Sequence, residues 1–157
     1  MNIQKKLIAF CIIFVLSLFV FTACDTSKAA LTAEQFSEQM SQLGYETADA
    51  TEQFSKEEAV QSVTLAMNEN YQIEFFVFSS NDIAASSFKT NKTDFEEIES
   101  NSSSYKSISG NNYIYYYRTT DDLFCLVSQV ENTMIYVLTD KTHAKEIKET
   151  VKNLGYI

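Results

Sequence analysis

Between Tyr105 and Thr139 four β-prone segments follow one another with only two or three residues between them. They are Tyr105 to Ser109, Tyr113 to Thr119, Leu123 to Val130 and Thr133 to Thr139, separated by Gly110-Asn111-Asn112, Thr120-Asp121-Asp122 and Glu131-Asn132. Parallel strands need a crossover of about a dozen residues, whereas antiparallel neighbours can be joined by a tight turn. Spacing this short therefore predicts an antiparallel meander.

Upstream the pattern is mixed. Thr32 and Gln35 stand at capping-box spacing, and Leu31 is placed to staple onto Phe36. Phe36, Met40 and Leu43 recur at helical intervals, and Gly44 offers a left-handed stop with Tyr45 behind it to pack back on Met40. Residues 47–51 read as a short edge strand, and Ser55 to Ala59 as a helical turn. Val60 to Met67 and Tyr71 to Phe78 read as a hairpin around Asn68-Glu69-Asn70. Ala84, Phe88, Asn91, Phe95 and Ile98 give a second helix, capped from Ser79-Ser80-Asn81 and running to about Glu99. Ala144, Ile147, Val151 and Leu154 give a third, capped by Asp140 or Thr142 and stopped by Gly155, with Tyr156 set to pack on Val151. Leu-Gly-Tyr thus closes the first and the last helix, one cap solution used twice without other repetition. The expected fold is α+β, order α-ββ-α-ββββ-α, with one mainly antiparallel sheet and the helices packed on one face. The second helix makes the crossover between the two strand sets.

Scarcity narrows the chemistry. The chain has 3 Gly, no Pro, 1 His and 3 Cys. The glycines are too dispersed for a phosphate-cradling loop, one His forbids a two-His metal site, and the cysteines cannot build a zinc ribbon or a disulfide framework. With 12 basic against 21 acidic residues, the chain lacks the basic surface that a nucleic acid requires.

Residues 1–23 read as an address. Lys5 and Lys6 precede an apolar run from Leu7 to Phe21, broken only by Ser17, too short for a membrane span of about 20 residues. A basic start, an apolar middle and a small-residue end are the marks of a secretory signal. Phe21-Thr22-Ala23-Cys24 resembles the lipobox of bacterial lipoproteins, with Phe21 where Leu is usual. The resemblance implies cleavage between Ala23 and Cys24, a lipid on Cys24, and an outward-facing domain held at the cell membrane. Cys24 and residues 25–30 would then be a short tether, and residues 31–157 one domain. Loss of Lys5 and Lys6 leaves 10 basic against 21 acidic side chains, net −11. An anionic membrane surface repels such a domain, so the lipid rather than a basic patch would anchor it.

The remaining candidates are few. Cys125, mid-strand, reads as a buried small hydrophobe rather than a nucleophile, because no basic residue lies between Arg118 and Lys141. His143 opens the last helix and reads as a surface residue. Asp94, Glu96, Glu97 and Glu99, and Asp121 with Asp122, read as a solvated acidic face, since no calcium-loop spacing is present. Glu74 has no second carboxylate with which to form a glycosidase pair. No catalytic residue, metal site or cofactor is expected. Tyr113, Tyr115 and Tyr117 fall on one sheet face. They could form an aromatic platform for a glycan, a peptide or a partner protein, or serve as cross-strand packing.

The helix closing in Leu-Gly-Tyr, the Asn-Tyr-Gln-Ile-Glu-Phe strand at 70–75 and the Ile-Tyr-Val strand at 135–137 resemble small lipoproteins of low-GC Gram-positive bacteria. That resemblance implies no activity. The expected function is a non-catalytic binding or interaction module, with a structural or regulatory partner of an envelope protein as the alternative. An exposed tyrosine face would favour the first. A covered sheet with an apolar edge would favour the second, and a pocket gathering Cys125 or His143 with carboxylates would favour an enzyme.

Overall fold

The computed structural model describes residues 27–54 and 59–157. The signal-like stretch, the Ala23–Cys24 junction and most of the turn expected at Ser55 to Ala59 lie outside these residues. The described chain forms α1 (Ala33–Gln42), β1 (Glu46–Asp49), a 3-10 turn (Thr51–Phe54), β2 (Val60–Met67), β3 (Gln72–Phe78) and α2 (Asn81–Glu97). The meander follows as β4 (Ser104–Ser109), β5 (Tyr113–Thr119), β6 (Leu123–Val130) and β7 (Thr133–Asp140), then a 3-10 turn (Lys141–His143) and α3 (Ala144–Asn153).

One seven-stranded sheet has the order β1-β2-β3-β7-β6-β5-β4, and every neighbouring pair is antiparallel. The hairpin and the meander are therefore present as the turn lengths require, and residues 46–49 form the extra edge strand. Strand directions alternate, so β3 and β4 run parallel with three strands between them. α2 makes that crossover.

The helices do not gather on one face; this expectation is corrected. α1 and α3 share one face, where Phe36, Met40, Ile147 and Val151 meet Ile73, Phe75, Leu126, Ile135 and Val137. α2 covers the other, where Ala84, Phe88 and Phe95 meet Phe76, Tyr116, Cys125, Val127 and Met134. The crossover has to pass over β7, β6 and β5, and on the first face α3 already lies there. β6 shows the consequence: from Phe124 to Val130 every residue is buried. Phe36 and Phe75 stack with ring centroids 4.6 Å apart, and burying such a ring is worth about 1.5–3 kcal/mol.

Local signals set the helix ends. Thr32 accepts from the Gln35 amide while Gln35 returns the bond to the Thr32 amide. At the far end the Tyr45 amide reaches the Met40 carbonyl at 3.0 Å and the Gly44 amide that of Ser41 at 3.0 Å, with Gly44 at φ +89°. The same pair of bonds, Tyr156 to Val151 and Gly155 to Lys152, closes α3, with Gly155 at φ +84°. Both are Schellman caps, and both tyrosines enter the same core. Leu43, expected on the buried face, is instead 49% exposed. It sits at the C-cap, past the last helical turn that faces the sheet.

Candidate functional site

β5 alternates as expected, but its tyrosine row is not an open platform. Tyr113, Tyr115 and Tyr117 lie on the face that carries α1 and α3. Tyr115 is buried, and its ring runs parallel to that of Tyr117 at 6.3 Å. Tyr117 also leans on Phe124. Lysines cover the outer rings: Lys28 Nζ sits 4.7 Å over Tyr113, and Lys148 Nζ 5.3 Å over Tyr117. On the opposite face Tyr116 is fully packed, between Tyr105 at 6.1 Å and Lys92 Nζ at 5.2 Å. Cation–π contacts of this kind add roughly 0.5–1 kcal/mol each at exposed sites, so the row acts as packing.

Cys125 lies in the core beneath α2, directly opposite Arg118 on β5. Burial pushes its thiol up to about 11, with the Arg118 guanidinium pulling the other way. Arg118 itself donates to the carbonyls of Phe95 and Glu96. α2 has no basic residue in its last turn, so Arg118 reaches across from β5 to complement the negative end of the helix dipole. Spacing along the chain hid this role.

His143 stands in the 3-10 turn before α3 rather than in the helix, and its ring packs on Tyr71 with centroids 5.1 Å apart. The Tyr71 hydroxyl lies 2.6 Å from that of Tyr45. Burial and the Tyr45 and Glu146 partners raise Tyr71 well above the ordinary phenol value. Cys125 is on the opposite sheet face, so the structure does not bring the two together.

The acidic residues are tied locally. Asp121 accepts from the Asn101 amide at 2.8 Å and from Ser100 Oγ at 3.2 Å, joining the loop after α2 to the β5–β6 turn. Glu96 pairs with Lys92 at 2.6 Å. Among the described residues no group of three or more His, Cys, Asp or Glu could hold a metal ion, and no helix is long and apolar enough to cross a membrane.

Two features remain open. The first is the edge strand β4. Among the described residues it pairs with β5 alone, all six of its residues are exposed, and Tyr105 is 71% and Ile108 37% accessible. The other edge, β1, is four residues long and begins and ends on a carboxylate; short, charged edges resist further pairing. β4 carries one charge, Lys106.

The second is a groove of about 550 Å³ between α2 and the β2–β3–β7 part of the sheet. Phe76, Phe78 and Met134 form its floor, Phe54 and Val60 one wall, and Ser86, Ser87, Thr90 and Asn91 the helical wall. Glu74 enters the floor from mid-β3, with Leu65 opposite it on β2 and Tyr136 opposite it on β7. Burial raises its carboxyl above the ordinary value, and a hydrogen bond from Gln72 Nε2 at 2.8 Å partly offsets this. In the sequence Glu74 stands only as an unpaired acid. Its neighbours come from the β3–β7 pairing, across about 60 residues of chain, which no local spacing reveals.

Comparison with protein-family models finds no match, and neither does comparison with curated proteins or with solved structures.

Proposed function

We propose that the chain is a lipid-anchored, outward-facing interaction domain that holds an extended segment of an envelope protein along β4. The reading is non-catalytic. The exposed β4 edge carries it: along its six residues, alternate ones direct their N–H and C=O groups away from β5, and the faces of the adjoining central strands are covered. Backbone bonds to an added strand would supply affinity, and side chains would supply selectivity. Tyr105 and Ile108 project to opposite faces of the sheet, so an incoming strand would meet one apolar contact on each side. A carboxylate opposite Lys106 would be favoured, because opposite charges across a strand pair attract.

The anchor rests on the lipobox-like junction at Cys24. Lys28 is bonded to the folded body, so only residues 25–27 separate Cys24 from it. Four Cα steps span at most about 15 Å. A domain so tethered stays at the membrane surface, where an envelope protein is within reach.

Two measurements test the reading. Incorporation of a labelled lipid precursor should be lost in Cys24→Ala; retained label overturns the anchor. A photocrosslinker at Tyr105 in intact cells should give one adduct of defined mass that Ile108→Asp with Lys106→Glu abolishes, while a crosslinker at buried Tyr115 stays silent. An adduct at Tyr105 that survives that double substitution, or none at all, overturns the edge as the docking surface.

A further inference from the structure

We propose that the groove beneath α2 binds a small organic cation with an apolar body, seated with its charge against Glu74. The site is separate from β4, and the proposal depends on neither the anchor nor a docked strand.

Glu74, Phe76 and Phe78 share one face of β3, a pattern in which packing alone would favour an apolar residue at position 74. A carboxylate placed there is partly stripped of water, which disfavours its charged form. Its hydrogen-bond partner among the described residues is the neutral Gln72 amide. Among the described residues no Lys, Arg or His lines the groove. Among the described residues the carboxylate therefore faces the cavity with no ion-pair partner, and a bound cation would provide one.

The rings around it suit the same occupant. Phe54 meets Phe76 edge-on at 5.4 Å, and Phe76 runs parallel to Phe78 at 5.9 Å. Tyr136 stands beside Glu74 with its ring tilted on Phe95 at 5.2 Å. Aromatic faces attract cations, and with the carboxylate they make a site of one sign. An anion would meet Glu74 and, among the described lining residues, no cation. A neutral apolar ligand would desolvate Glu74 further without compensation. The volume lies within the usual range for small-molecule sites, and Ser86, Ser87, Thr90 and Asn91 offer hydrogen-bonding groups along the helical wall.

The test uses the full chain in zwitterionic lipid nanodiscs, titrated with benzyltrimethylammonium, benzyl alcohol and benzoate, and followed by amide NMR shifts. The cation should give saturable shifts at Glu74, Phe76 and Tyr136, with benzyl alcohol weaker and benzoate silent. Glu74→Gln should weaken the cation about tenfold and leave benzyl alcohol binding at least as tightly as before, because the neutral ligand no longer desolvates a carboxylate. Ser87→Phe, which narrows the groove from the helical wall without touching Glu74, should weaken both ligands; its melting curve shows whether the domain is folded. The proposal is overturned by equal cation affinity in Glu74→Gln, by benzoate binding as tightly as the cation, or by no saturable shift in the groove up to about 10 mM, where binding is worth less than about 3 kcal/mol.

Discussion

Lys28 and Asn112 hold each other in both directions: the Lys28 amide donates to Asn112 Oδ1 at 2.9 Å, and Asn112 Nδ2 donates to the Lys28 carbonyl at 2.8 Å. Lys28 Nζ meanwhile reaches the Gly155 carbonyl at 2.8 Å. The Leu31 amide donates to the Tyr156 hydroxyl, which is 2.6 Å from Thr133 Oγ1. The segment before α1 is thereby fixed to the β4–β5 turn and to the C-terminus. Part of what reads in the sequence as tether belongs to the folded body.

Asn112→Ala removes both bonds to Lys28. At roughly 0.5–1.5 kcal/mol for each such bond, the domain should lose about 1–3 kcal/mol in denaturant melts. Trypsin should also cut after Lys28 faster than in the wild type. An unchanged cleavage rate at Lys28 would show that the pairing does not hold the segment.

The two Schellman caps make a paired prediction. A Cβ at Gly44 or Gly155 would meet nothing within 4 Å, so the cost of Ala there is conformational alone, roughly 1–2 kcal/mol for a left-handed residue. Gly110 differs: a Cβ there would run into the Tyr113 ring. Gly110→Ala should therefore turn that ring and disturb the Lys28 contact, visible as a shift of the Tyr113 ring protons. Gly44→Ala and Gly155→Ala should lower stability and leave the Tyr113 signals in place. Equal effects on Tyr113 from all three would contradict this division.

These caps also show what local sequence can encode. Leu-Gly-Tyr specifies its hydrogen bonds within six residues, and the meander follows from turn length, so both were legible. Placement of α2 was not read from its own periodicity. The clue lay in its partners, since Leu123 to Val127 and Phe75 to Phe78 run apolar without alternation. Continuous runs of this kind belong to strands buried on both sides. The expectation of helices on one face treated these strands as half-buried. The groove escaped for a different reason. It depends on Tyr136 facing Glu74, and such a register is fixed by the assembled sheet.

Cys125 gives a clean chemical prediction. With its thiol pushed up to about 11 and the side chain buried, the reactive thiolate is scarce at neutral pH and the sulfur is inaccessible. Thiol reagents should label it only as fast as the domain unfolds, and the labelling rate should rise with denaturant in step with the unfolding curve. Stoichiometric labelling of Cys125 in the native protein within minutes at pH 7, located by peptide mass mapping, would show that the thiol is reachable from outside.

Glu74 predicts the acid behaviour. Because burial raises its carboxyl in the folded state, the folded protein binds this proton more tightly than the unfolded chain does. The ionised group therefore subtracts stability above its unfolded value, and that penalty is lifted as pH falls through the folded value. Asp49, Asp121 and Asp140 run the opposite way. Thr51, the Asn101 amide and Thr142 respectively are the leading partners that hold them below their ordinary values. Their contribution is present above the unfolded value and is lost as pH falls through the folded one. In the wild type the two effects partly offset each other below about pH 5, where carboxylates with ordinary values near 4 begin to titrate. Glu74→Gln removes the opposing one. It should be at least as stable as the wild type at pH 7, and its stability should fall more steeply between about pH 5 and pH 3. Parallel stability curves for the two proteins across that window would show that Glu74 is not held in a desolvated state, and the charge argument for the groove would fall with it.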